Sequence, residues 1–488
     1  MGVRAALPAA LAALFLGAWV WAALARVTYP YELEWMEGGV LQHVERLRAG
    51  APVYAAPSVE FAPFPYTPLY YHASAAVAGL NPGAFAPLRA VSILATLATF
   101  ALVGALASRA SGDAPRGQRS LAALLAAGLF AAAAEFTGAF GDLARVDALA
   151  WALALGGLFV AREARTARGA VCGAILAALA FHTKQSTALL SLAASFAVSA
   201  RSVRLAVLHG AAALALGAGA FFAFDARSDG WFRFWTLDLL SGAPVHAPMW
   251  LGYWRETGLA LGGAGAVVAA AALTGAWRPP LLRSVVPAVA LVATGWIGKL
   301  HVGGHDNNYV PTALGAALLF GPAAAAWIRH PGARFAPVAA ALALGLLAHD
   351  PRGRVPGSDQ RRATEATLDA LRALDGPVLA PDHGWLVARA RGEASAHDGS
   401  DVAHGMVWID LLQSRQKDIA QAFVDELRAV LEAQRFRSVV TSDRWDDMPG
   451  LLGNYGSAEL LLPLADGAAA APVSGAPRRP TWVYRARD

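Results

Sequence analysis

Eleven apolar runs, separated by segments that hold most of the charge, constrain this chain more than any other feature. They fall at about 5–25, 87–108, 120–135, 146–161, 169–182, 186–200, 205–224, 257–275, 284–299, 309–328 and 335–349. A helix of roughly 17–25 apolar residues is long enough to cross a bilayer, and inside hydrocarbon only a backbone that satisfies its own hydrogen bonds is stable. Composition agrees. Of the 488 residues, 56% are hydrophobic and 15% charged, whereas soluble domains sit near about 45–50% and about 25%. A soluble enzyme, a disordered chain and a nucleic-acid binder are excluded. The expected fold is a mainly α, polytopic membrane protein with about 11 transmembrane helices over residues 1–349, followed by a small α/β domain over 350–488. The single cysteine, Cys172, lies in an apolar run, so the chain has no internal disulfide and no cysteine-based metal cluster.

The charges sort by loop. If Arg4 is cytoplasmic, the same side receives Arg109, Arg116 and Arg119, then Arg162, Arg165 and Arg168, then Arg201 and Arg204, Arg278 and Arg283, and Arg329 and Arg334. Only Asp113 and Glu163 oppose them. This is the positive-inside pattern. The other side collects Glu32, Glu34, Glu37, Glu135, Asp142, Asp225, Asp229 and Asp306. An odd number of spans puts the tail there too. The expected location is a bacterial inner membrane, with the acidic face and the tail periplasmic.

Three pieces lie outside the spans. The first loop, 27–86, is too long for a mere connection. It holds an amphipathic stretch from Val40 to Arg48, stopped by Gly50, and then Pro63, Pro65 and Pro68 ahead of Leu69-Tyr70-Tyr71. Two short helices on the membrane surface are expected. The loop 225–256 carries Trp231, Phe232, Phe234, Trp235, Trp250 and Trp254, which suits either an interfacial lid or an aromatic anchoring belt. In the tail, helical periodicity at Thr364–Leu374 and Gln416–Arg435 alternates with strand-like Pro377–Ala380 and Phe436–Thr441. Gly467–Pro480 reads as a linker.

Ionisable groups at span ends are costly and mark function by default. Glu32, Glu34 and Glu37 lie within six positions, a pattern that suits a general base or a divalent ion, and equally the charge preference of a helix start. Arg145 and Asp147 open one apolar run, as an ion pair and cap or as cavity residues. Lys184, in His182-Thr183-Lys184-Gln185, breaks the charge rule and needs an anionic partner: Asp147, or a lipid phosphate. His301, His305 and Asp306, near Asn308 and Tyr309, form a weak metal pattern, and hydrogen bonding to phosphate or sugar fits them better. Topology puts all four clusters on one side of the membrane, which suits a substrate carried on a lipid.

The order of these motifs resembles the polytopic glycosyltransferases of the C superfamily (GT-C). It is most similar to the branch holding the aminoarabinose transferases of lipid A and the protein O-mannosyltransferases. The resemblance rests on Met36-Glu37-Gly38-Gly39, on Pro52-Val53-Tyr54 and Tyr66-Thr67-Pro68-Leu69-Tyr70-Tyr71, and on Arg89. It continues with Arg145-Val146-Asp147, Thr183-Lys184-Gln185 and Tyr309-Val310-Pro311, and covers about 1–349. The acidic motif in that branch is commonly an Asp-Glu pair. Here Met36 takes its first position and Glu34 stands nearby.

The resemblance implies a GT-C-like arrangement and transfer of a hexose or pentose from a polyprenyl-phosphate-sugar donor to an acceptor hydroxyl on a glycan, lipid or protein at the outer face. Catalytic Glu37, Glu34 and Asp147 are implied, with Lys184, Arg145, His305, Asn308 and Tyr309 binding the donor phosphate or sugar. Glu34 and Glu37 are the implied ligands should a divalent metal (Mg or Mn) take part. Membrane lipids are partners, and nucleic acid is not. The rival is a transporter or flippase for a lipid-linked or anionic substrate, but the paired halves and interrupted helices of such proteins are not legible here.

Overall fold

The computed structural model describes residues 3–81, 83–392, 408, 411, 415–448, 450–464, 467 and 469–487. Every one of the eleven apolar runs is helical. In chain order these are α1 (Ala6–Arg26), then, after the first loop with α2 (Glu37–Arg48) and α3 (Leu69–Ala78), α4 (Ala86–Ala110), α5 (Arg116–Ala132), α6 (Val146–Glu163), α7 (Ala167–Phe181), α8 (Ala188–Ser199) and α9 (Val203–Arg227). The helices Met249–Leu273, Val286–Leu300, Val310–Arg329 and Ala336–Gly345 follow.

Among the described residues six helices are long and apolar enough to cross a membrane, whereas Ala167–Phe181, Gln185–Ser199 and Ala336–Gly345 are shorter. Helix length alone therefore does not carry a count of eleven spans. The short α8 has a local cause: its start follows Lys184, whose polar turn lines a cavity.

Small residues let the helices approach closely. A Cβ on Gly157 of α6 would lie 3.2 Å from the Gly173 carbonyl oxygen and 3.2 Å from the Ala177 nitrogen of α7. The helix Val310–Arg329 runs through the middle of the bundle, with 16 of its residues buried. Outward-facing Leu14, Leu94, Leu214, Leu259 and Leu273 are more than half exposed. Such a belt on a helical bundle belongs against lipid rather than water.

The tail is α/β, as its pattern implies. Helix Ser358–Arg372 leads to β1 (Val378–Leu379), helix Gly384–Arg391, helix Lys417–Glu432, β2 (Ser438–Thr441), β3 (Glu459–Leu460) and β4 (Trp482–Arg485). The sheet order is β1-β2-β4-β3, with β1 and β2 parallel and the other pairs antiparallel.

The tail and the first loop share one apolar core, in which Val40, Leu41 and Val44 of α2 meet Trp385, Leu386, Phe423 and Val439. The amphipathic loop helices are therefore partly covered by protein, not only laid on lipid. The loop 225–256 behaves likewise. Phe232, Phe234 and Trp235 are buried in the same core, and the Trp235 indole donates to the Ala55 carbonyl at 2.7 Å. Trp250 and Trp254 stay half exposed, as a belt requires. The linker reading of Gly467–Pro480 is corrected. Ser474 is fully buried, its amide donates to Leu33 O at 3.0 Å, and its hydroxyl accepts from Arg26. Ala468 lies outside the described residues.

Candidate active site

Four buried ion pairs gather at the end of the bundle that carries the first loop and the tail: Arg26–Asp142, Arg89–Glu37, Arg145–Glu34 and Lys184–Asp147. They divide by how completely their polar atoms are used.

The first two are closed. Arg26 ends α1 and also donates to the carbonyls of Ala139 and Arg354 and to the Ser474 hydroxyl. Glu37 receives the Arg89 guanidinium on both oxygens, at 2.9 and 2.6 Å, and the backbone amides of Ala144 and Leu33, each at 2.7 Å. Arg89 itself spans back to the carbonyls of Tyr29 and Tyr31. Burial alone would raise the Glu37 pKa, but Arg89 and the two amides outweigh it and hold the carboxyl below its ordinary value. Glu37 thus knots the first loop to α4 and to the turn before α6. Glu37, an expected catalytic residue, does not line the polar cavity. Its four acceptor positions are spent on folding.

The other two pairs are open. A cavity of about 460 Å³ is lined by Glu34, Tyr66, Arg145, Lys184, Gln185, His301, His305, Asn307 and Asn308, among others. Arg145 donates to Glu34 Oε2 at 2.7 Å and to the Tyr66 hydroxyl at 2.9 Å, while its buried Nε meets no partner. Lys184 Nζ donates to Asp147 Oδ1 at 2.6 Å and lies 6.0 Å from the Tyr66 ring centre. Asn307 joins the same Asp147 oxygen at 3.1 Å, leaving the buried Oδ2 unpartnered. An ammonium has three donors and a guanidinium five, so both cations keep capacity for an anion.

Glu34 faces this cavity, and its hydrogen bonds among the described residues, from Arg145 and the Met36 amide, fall on Oε2. Burial pushes its carboxyl up to about 7; Arg145 opposes the shift and nearby Glu37 adds to it. A carboxylate tuned near neutrality is suited to general-base work. Burial, reinforced by Arg145, lowers the pKa of His305.

The sequence candidates therefore separate. The structure brings Glu34, Arg145, Lys184, His305 and Asn308 to one cavity. Asp147 lines a smaller neighbouring void with Thr96, Thr99 and Thr137 and acts on the main cavity through Lys184. Tyr309 does not line the cavity. It donates to Glu256 and stacks between Phe136 and Tyr253, apart from the other expected donor-binding residues.

Tyr66, Gln185, His301 and Asn307 were not among the expected site residues. Tyr66 and Gln185 stood inside motifs already singled out, and Asn307 lay between two chosen neighbours. His301 belongs to the cluster expected to hydrogen-bond phosphate or sugar.

The donor set does not fit a divalent ion. Among the described residues no three His, Cys, Asp or Glu side chains gather as ligands. Glu34 and Glu37 are each engaged by an arginine instead.

An apolar groove of about 450 Å³ lies between α7, α8 and α9, lined by Phe181, Leu192, Leu214, Phe221, Phe222 and Leu237. It meets the polar cavity at Ala188, which lines both. Leu192, Leu214 and Phe222 on its walls are more than half exposed on the membrane-facing surface.

No protein-family model matches the sequence, and no curated protein matches it. The fold has solved counterparts. ArnT from Cupriavidus metallidurans in the apo state superimposes with a TM-score of 0.58 at 12% identity, covering 97% of each chain. The same protein bound to undecaprenyl phosphate gives 0.56 at 12% identity and the same coverage. The chain thus has the ArnT fold, in keeping with the GT-C-like arrangement its motifs imply.

Proposed function

We propose that this chain is a membrane glycosyltransferase that moves a sugar from a polyprenyl-phosphate donor to an acceptor hydroxyl. One observation carries the reading: Arg145 and Lys184, two buried cations with unused donors, share a single cavity with Glu34, a carboxyl pushed up to about 7. The adjoining apolar groove gives an isoprenoid chain a route from the bilayer to that cavity. A counterpart of the same fold was solved with undecaprenyl phosphate bound. The arginine-rich connections on the opposite side support an outward-facing, periplasmic cavity in an inner membrane.

In this reading Glu34 takes the acceptor hydroxyl proton as the acceptor oxygen attacks the anomeric carbon. The bond from that carbon to the phosphate oxygen breaks, and its electron pair leaves with the polyprenyl phosphate. The donor phosphate is a diester with one negative charge, and the product monoester gains a second. Lys184 and Arg145 act most strongly where that charge develops. Asp147 and Asn307 hold Lys184 in place, and Tyr66 positions Arg145. The acceptor is a hydroxyl on a glycan, lipid or protein.

The reading is tested by transfer of labelled sugar from a synthetic polyprenyl-phosphate donor in membranes containing the protein. Glu34→Gln is expected to lower transfer by about 10²–10⁴-fold, the usual worth of a general base, measured on protein whose thermal midpoint in detergent shows that it is folded. Transfer at the wild-type rate by that variant removes Glu34 from the chemistry.

A further inference from the structure

The tail meets Glu34 through the turn 473–478, and both ends of that turn are anchored in the tail. Ahead of it, the Ala471 carbonyl accepts from Gln360 at 2.7 Å, and the Val473 carbonyl accepts from Arg354 at 2.6 Å. At its far end, Arg478 pairs with Asp382 at 3.3 Å and with Asp443 at 3.6 Å. These two carboxylates follow the parallel strands β1 and β2. The turn is thus tied to helix Ser358–Arg372 on one side and to the sheet on the other.

Its middle lies on the residues that present Glu34. The Ser474 amide donates to Leu33 O at 3.0 Å, and the Arg478 guanidinium sits 5.3 Å from the centre of the Trp35 ring. Both chain neighbours of Glu34 are held in this way, and both are buried. Gly475 meets Glu34 itself. It adopts a positive φ of 67°, and a Cβ placed on it would lie 2.7 Å from Glu34 Cγ and 3.1 Å from Oε1. The other oxygen, Oε2, accepts from Arg145 at 2.7 Å and from the Met36 amide at 3.2 Å. The Glu34 side chain is therefore set between Arg145 and the backbone of the tail, and only a glycine admits so close an approach in this conformation.

We infer that the tail is part of the active site: the turn 473–478 sets where the Glu34 carboxylate stands, and Gly475 is a positioning residue for the transfer step. This rests on the reading of Glu34 as the general base. A displaced base lowers the rate more than it weakens donor binding, because the donor phosphate rests on Lys184 and Arg145.

The test measures kcat and the donor KM in membranes containing the full-length protein. The donor is decaprenyl phosphate carrying arabinose, mannose or 4-amino-4-deoxyarabinose, whichever the wild type transfers, and labelled decaprenyl phosphate reports binding. Gly475→Ala is expected to lower kcat at least about tenfold, toward the roughly 10²-fold that a 1 Å misplacement costs, with KM and probe binding within about twofold of the wild type. Gly392→Ala is the control. Gly392 has a φ of 68° and open space around it, so this variant carries the same backbone strain in the tail without touching Glu34, and its kcat is expected to stay at the wild-type level. Arg478→Gln frees the far end of the turn and adds no bulk. It is expected to lower kcat without raising KM, and it decides the question should Gly475→Ala not fold. A Gly475→Ala or Arg478→Gln protein that matches Gly392→Ala in kcat overturns the inference and leaves Glu34 as the base. Losses of kcat and of probe binding in equal proportion overturn it too. Transfer at the wild-type rate by Glu34→Gln overturns the reading of the base, and the inference with it.

Discussion

At the scale of single residues, two glutamates three positions apart take opposite roles because of what surrounds each one. Glu37 meets Arg89 and two backbone amides, so its charge is fully used. Glu34 meets Arg145 on one oxygen and otherwise faces a cavity. Removing one member of a buried pair strands the other, at about 3–5 kcal/mol. Glu37→Gln is thus expected to destabilise the protein by that amount, seen as a lowered thermal midpoint in detergent. A folded, fully stable but inactive Glu37→Gln would return the base to this position. Glu34 gives a separate signature. The base must be ionised, so sugar transfer is expected to rise with pH through an apparent pKa near 7 and to fall away below it. A rate flat from pH 5 to 8 would argue against it.

At the scale of elements, α2 depends on close approach to the tail. A Cβ on Gly38 would sit 2.7 Å from Trp385 Cβ, inside helix Gly384–Arg391. Gly38→Ala is expected to loosen the tail from the first loop, read as faster proteolysis of the tail with the membrane helices intact. Unchanged protection would show that the two are not held together here.

Much of this level was legible in the sequence. The eleven apolar runs became eleven helices, Gly50 ended α2 at a positive φ of 75°, and the tail alternation produced a real sheet. What escaped was long-range. Nothing in the local pattern of Gly467–Pro480 announces that Ser474 binds Leu33 and Arg26. Likewise, the spacing of Glu34 and Glu37 does not say which of them Arg89 will take. Partner choice is a property of the assembled helices. His43 shows the same. Within the amphipathic α2 it is nonetheless buried and neutral, linked to Gly39 O and accepting from the Phe64 amide, with burial lowering its pKa to about 4.

At the scale of the whole molecule, a closed layer of ion pairs and an apolar core brace the end of the bundle where one cavity stays open to both a lipid-facing groove and the loops. Charge-assisted hydrogen bonds are worth about 1.5–3 kcal/mol, so each cation at that cavity matters for holding a lipid phosphate. The most direct test is native mass spectrometry of the protein extracted from membranes rich in polyprenyl phosphate. The wild type and Glu34→Gln are expected to carry a polyprenyl phosphate adduct that Lys184→Met loses or holds far more weakly. A wild type free of such lipid, or a Lys184→Met protein that retains it fully, would contradict the central claim that this cavity holds a lipid-borne phosphate.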